Sequence, residues 1–113
     1  MLRHVVLFNW KSNTPPDKIR EIEAAFCALP AKIPEIAGYE WGTDVSVQGF
    51  DGGFSHCFIV SLASESDRDV YLPHPAHADF IALSRPHVEK LIVVDYHPQD
   101  ATGTPIGPGE KGR

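Results

Sequence analysis

The stretch YLPHPAH, from Tyr71 to His77, brings a phenol and two imidazoles close together in the chain. Imidazole is the side chain whose charge changes near neutral pH, and a phenol both donates and accepts hydrogen bonds. His74 and His77 stand three residues apart, so on a helix that begins near Pro75 their rings project in neighbouring directions, with Tyr71 one turn earlier. Taken alone, the stretch reads as an ordinary helix start, with half-exposed histidines and a core tyrosine whose hydroxyl reaches solvent. A metal site would need a paired acidic ligand at a recognisable spacing, which is lacking here, so no metal is expected.

The strands that must surround this stretch change its reading. Leu2 to Trp10 is rich in β-branched and aromatic residues, and strand alternation puts His4, Val6 and Phe8 on one face and Val5 and Leu7 on the other. Phe54 to Ala63 repeats the pattern, with His56, Phe58 and Val60 opposed to Cys57 and Ile59. His4 and His56 therefore share a face with core residues. Buried neutral imidazoles need both a donor and an acceptor, so histidines converging there are better explained by a hydrogen-bonded polar pocket than by packing. His87 and His97 follow element ends and receive no role.

The remaining elements follow from turn and capping signals. Thr14 is read as the N-cap of a helix that starts at Pro15 and Pro16, carries Ile19, Ile22, Phe26 and Leu29 on its apolar face, and ends near Pro30. Gly38 to Val47 is a strand with Gly42 as a bulge candidate, and the glycines from Gly49 to Gly53 turn it into a hairpin with the next strand. Ser64 caps a short helix to about Leu72, and Pro73 and Pro75 separate it from a second helix that runs to Ser84, where Pro86 stops it. Lys90 to Tyr96 is the last strand. The order strand, helix, strand, strand, helix, strand is the split βαβ plan, an α+β ferredoxin-like fold with a four-stranded antiparallel sheet. One domain is expected over residues 1–97, followed by a flexible tail over 98–113 that is dominated by Gly, Pro, Thr and charge.

Two helices cover only one face of such a sheet, yet both faces are apolar. Leu91 and Val93 oppose Ile92 and Val94 on the last strand, just as Val5 and Leu7 oppose the core on the first. The free face thus predicts a homodimer joined sheet to sheet, an α/β barrel made by two copies. At 113 residues and 42% hydrophobic content the chain supports one modest core. Its charge of -5 is spread along the chain, which argues against nucleic acid or an anionic membrane as partner. The opening apolar run is interrupted by Arg3 and His4 and is too short to cross a bilayer, so a cytoplasmic protein is expected. Cys27 and Cys57 form no metal or redox motif and are expected as small buried apolar side chains.

LRHVVLF at the start, WGTD from Trp41, SHCFIV in the third strand, YLPHPAH and the LIVVDY of the last strand together resemble the stress-responsive dimeric A/B barrel family over about residues 2–97. The resemblance implies a ferredoxin-like unit that dimerises through its sheets. Members similar to plant polyketide cyclases close a linear polyketide by intramolecular aldol condensation, and the matching pair here is Tyr71 and His77. The resemblance makes them the catalytic pair, His77 removing a proton α to a carbonyl and Tyr71 bonding the developing enolate oxygen. His4, His56 and His74, with Phe26 and Phe58, are the expected substrate-binding residues, and no cofactor is called for. Glu23, Pro73 and Val88 depart from the plant pocket wall, so the resemblance carries a small carbonyl compound as ligand but not a particular substrate. A non-catalytic stress or structural dimer with a satisfied polar core stands as the alternative, and cofactor-free oxygenation, which related barrels resemble, is a further one.

Overall fold

The first strand forms as its alternation requires. In a computed structural model that describes residues 1–107, β1 (Leu2–Trp10) is buried at Leu2, His4, Val6 and Phe8 and half-buried between them. It lies in the middle of a sheet of order β2-β3-β1-β4, flanked by β3 (His56–Leu62) and β4 (Val88–Tyr96), with β2 (Ile36–Thr43) at the far edge. All neighbours are antiparallel. The register sets His4 opposite Val60 and Asp95, and Phe8 opposite His56 and Leu91. Paired residues share a face, so these all point toward the helices.

Those helices are α1 (Pro16–Cys27), the single turn α2 (Leu29–Lys32), α3 (Glu65–Tyr71) and α4 (Pro75–Ser84), followed by a 3₁₀ turn over Arg85–His87. The core between helices and sheet gathers Ile22, Phe26, Leu29, Ile33, Phe58, Tyr71 and Phe80 against Val6, Phe8 and Val60. The other face is left uncovered: Ile92 and Val94 are 40% and 50% exposed, and Val5, Leu7, Cys57 and Ile59 lie beside them. The two-faced apolar pattern of the strands is thus present in the fold.

Several boundaries differ from the sequence reading, each for a local reason. Thr14 does not cap α1: Pro15 occupies that position without a side-chain bond, and the Thr14 hydroxyl is buried without a partner. The helix ends at Cys27, and Pro30 lies inside the first turn of α2, where its missing N–H costs nothing. Pro86 is likewise absorbed in the first residues of a tight turn rather than ending the helix outright. Strand β2 is shifted toward Ile36 and stops at Thr43, because the Asp44 carboxylate accepts the Ser46 N–H and turns the chain out of the ladder. The irregularity in β2 is at Ile36 to Gly38, and Gly42 pairs regularly with Cys57. Cys27 is exposed at the helix end, 3.4 Å from the Tyr39 hydroxyl, and Cys57 is half-buried on the uncovered face, so neither is a core residue of the single chain. Ser64 does cap α3, accepting the Asp67 N–H. Of the tail expected over 98–113, residues as far as Gly107 are described, with Gln99 bridging Pro105 and the Ile106 N–H bonded to the Pro98 carbonyl. The rest of it lies outside the described residues. No helix among the described residues is long and apolar enough to cross a membrane.

Candidate functional site

The edge strand β4 extends past the cover of the helices, and a cavity of about 460 Å³ opens between it and α4. Phe8, Phe26 and Phe80 form its inner end, Ile81 lines one side, and Leu91 and Val93 form the floor. Its polar groups are few: Tyr71, His77, His4 and Asp95, with Ser84, Arg85 and Glu89 also contributing to the lining. An apolar hollow with a small set of converging polar side chains is the usual form of a small-molecule site, and the volume lies in the usual range.

Tyr71 is the last residue of α3 and fully buried. Its ring lies 4.6 Å from that of His77 and 5.5 Å from that of His4. The Tyr71 hydroxyl is buried and has no hydrogen-bond partner. A buried polar atom left unpaired costs on the order of 1–3 kcal/mol, so its retention calls for an explanation. Burial, and then the nearby Asp95 carboxylate, push the Tyr71 pKa well up, which keeps the phenol protonated and able to donate.

His77, in the first turns of α4, donates from Nδ1 to the Leu72 carbonyl at 2.8 Å. That bond fixes the tautomer and leaves the lone pair on Nε2. Burial lowers the His77 pKa, the Leu72 bond opposes this, and His4 and His74 add a smaller depression. The ring is consequently neutral at neutral pH, the form a base must have. His4 is 4% exposed and donates from Nδ1 to Asp95 Oδ1 at 2.7 Å, and the other Asp95 oxygen meets Arg68 at 3.4 Å. An acidic residue inside the apolar run of the last strand, with the parity of Leu91 and Val93, was the available sequence signal for Asp95; Arg68 offered none.

The other expected residues are placed elsewhere. His74 is the N-cap of α4, its Nδ1 accepting the Ala76 N–H at 3.1 Å, and it is not part of the cavity wall. His56 is buried toward the opposite end of the sheet, where Nδ1 accepts from Trp10 Nε1 at 3.0 Å with the Ser55 hydroxyl 2.9 Å from the same nitrogen, and Nε2 donates to Glu23 at 2.6 Å. Phe58 stacks on Phe26 at 4.3 Å and lies behind it, so only Phe26 of the two phenylalanines reaches the cavity. Among the described residues no group of three or more His, Cys, Asp or Glu side chains is arranged to hold a metal ion.

The model of the stress responsive A/B barrel domain matches residues 2–98. The chain belongs to this family. The stress-response A/B barrel domain-containing protein HS1 of Arabidopsis thaliana is 31% identical over 86% of this chain and 89% of its own length. Olivetolic acid cyclase of Cannabis sativa is 28% identical over 87% of this chain and 97% of its own. Among solved structures, the hydroxynitrile lyase of Passiflora edulis superposes with a TM-score of 0.79 at 29% identity, covering 84% of this chain and 90% of that one. A dimeric ferredoxin-like protein from Thermobifida fusca superposes at 0.74 with 27% identity, covering 84% and 88%. The family A/B barrel is thus a ferredoxin-like α+β fold with dimeric members, and this chain shares its topology.

Proposed function

We propose that this A/B barrel protein is a homodimer, joined through its uncovered sheet face, that binds a small carbonyl compound in the cavity beside β4 and performs acid–base chemistry on it. The observation that carries the reading is the buried, unpartnered hydroxyl of Tyr71, a residue that lines an apolar cavity, beside a His77 whose tautomer is already set. The carbonyl oxygen of a ligand completes the missing hydrogen bond. His77 Nε2 removes the proton α to that carbonyl, and the Tyr71 hydroxyl donates to the oxygen as negative charge develops on it. His4, oriented by Asp95, lines the same wall and completes the polar end of the cavity.

Similarity to a cyclase and to a hydroxynitrile lyase supports chemistry of this general kind. The alternative, a non-catalytic dimer whose polar residues only satisfy one another, describes His56 well, since all its ring nitrogens are bonded. It does not account for Tyr71. The test is a screen of small β-carbonyl compounds with the wild type, His77→Ala and Tyr71→Phe. Turnover by the wild type that falls in both variants, with dimer and fold intact, supports the reading; equal rates in all three proteins remove it.

A further inference from the structure

Val45, Val47 and Phe50 are 88%, 96% and 87% exposed, the most exposed large apolar side chains among the described residues, and all three belong to the loop between β2 and β3. The loop is a built structure. The Asp44 N–H bonds the Ser55 carbonyl at 2.8 Å, the Asp44 carboxylate accepts from Ser46, the Asp51 carboxylate accepts the Gly53 N–H at 2.9 Å, and Gly49, Gly52 and Gly53 adopt the positive φ that the turns require. At its base the Ser55 N–H is bonded to the Phe8 carbonyl of β1. Bracing of this kind holds the three side chains away from the body of the chain, where they contribute nothing to its core.

The loop also continues the uncovered sheet face. A cleft at its base is lined by Leu7 and Cys57, which belong to that face, together with Phe50 and Phe54 of the loop. We infer that residues 44–55 form an arm that lays Val45, Val47 and Phe50 on a second copy of this chain, extending the sheet-to-sheet contact beyond the strands. The inference rests on the proposed sheet-to-sheet dimer, and the choice of occupant follows from that continuity. Two-fold symmetry makes the contact reciprocal, so each copy gives one arm and receives one, and three apolar side chains are covered twice per dimer.

Two full-length variants separate the arm from the sheet face it extends. In the first, Val45→Ser, Val47→Ser and Phe50→Ser are combined; all three positions are exposed, so the fold should be retained. In the second, Ile92→Asp places a charge on the uncovered sheet face. Sedimentation over a dilution series should show the arm variant's dimer weakened by roughly 100-fold, with its circular dichroism unchanged. Amide exchange over residues 44–52 of the wild type should slow as the dimer forms. An arm variant that dimerises as tightly as the wild type overturns the inference, and if Ile92→Asp is monomeric in the same series the sheet-to-sheet reading survives without the arm. If Ile92→Asp dimerises normally, the sheet-to-sheet reading fails and the inference falls with it.

Discussion

The two ends of the space between helices and sheet use the same materials differently. Around β2 and β3, Phe26, Phe58, Trp41 and Trp10 stack or meet edge to face, and the one histidine among them, His56, is bonded through both ring nitrogens. Along β4 the helices withdraw, Leu91 and Val93 are each 47% exposed, and Tyr71 keeps a hydroxyl with no partner. One end is filled and satisfied, as a core should be. The other is hollow and incomplete. Both carry an imidazole beside aromatic rings, so residue type does not distinguish a structural histidine from a working one; the count of unmet hydrogen bonds does.

The strongest way to break this contrast is His77→Ala. At the hollow end it should reduce turnover of a β-carbonyl substrate by roughly 100- to 10,000-fold, the range in which a general base acts, with little change in the unfolding midpoint. Phe26→Ala should act first on stability: denaturant titration should show a loss of about 3–5 kcal/mol, because two stacked partners lose their neighbour, whereas Leu91→Ala on the open floor should cost about 1 kcal/mol or less. Tyr71→Phe should lower turnover by roughly 10- to 1,000-fold while leaving stability unchanged or slightly higher, since it removes a buried group that has no partner. A Trp10→Phe substitution at the filled end should instead be destabilising by about 1–2 kcal/mol, since it takes away a donor that His56 uses.

The smallest effects concern pH, and they have opposite signs. His77 should titrate below its ordinary value near 6.5 in an NMR series, because burial disfavours the cation. Its contribution to stability is then complete above that ordinary value and declines as the pH falls through it toward the depressed one. The acid limb of kcat/KM should follow the depressed value. His97, bonded to Glu65 at 2.8 Å and to the Met1 carbonyl at 2.8 Å, should titrate above 6.5. Its stabilising effect is present below the ordinary value and is lost as the pH rises through the raised one. Equal titration of the two rings would dissolve the distinction.

Much of this fold was legible in the strands. Alternation in Leu2 to Trp10 and in the segment around His56 separates the helix side from the uncovered side, and the register agrees residue by residue. What alternation cannot give is position along the strands. His4 and His56 share a face, but His4 lies opposite Val60 and His56 opposite Phe8, four ladder positions away, about 13 Å at the usual rise. That separation divides the expected cluster of histidines into a pair near Tyr71 and a separate network at the far end. Trp10 and Glu23, which satisfy His56, come from a different strand and from α1, and no local pattern announces contacts across such sequence distances. His74 was visible as part of a motif, while its use as a cap depended on where α4 begins.

A consequence follows from the break between α3 and α4. In an uninterrupted helix the carbonyl of Leu72 would accept the amide of Ala76, four residues on. Here that amide is taken by the His74 ring, and the carbonyl is free to receive Nδ1–H of His77 instead. The prolines at 73 and 75 that forbid continuity therefore also decide which nitrogen of His77 is proton-free. Smoothing the junction with alanines would act as a chemical edit to the imidazole, exchanging its tautomers without touching the ring itself.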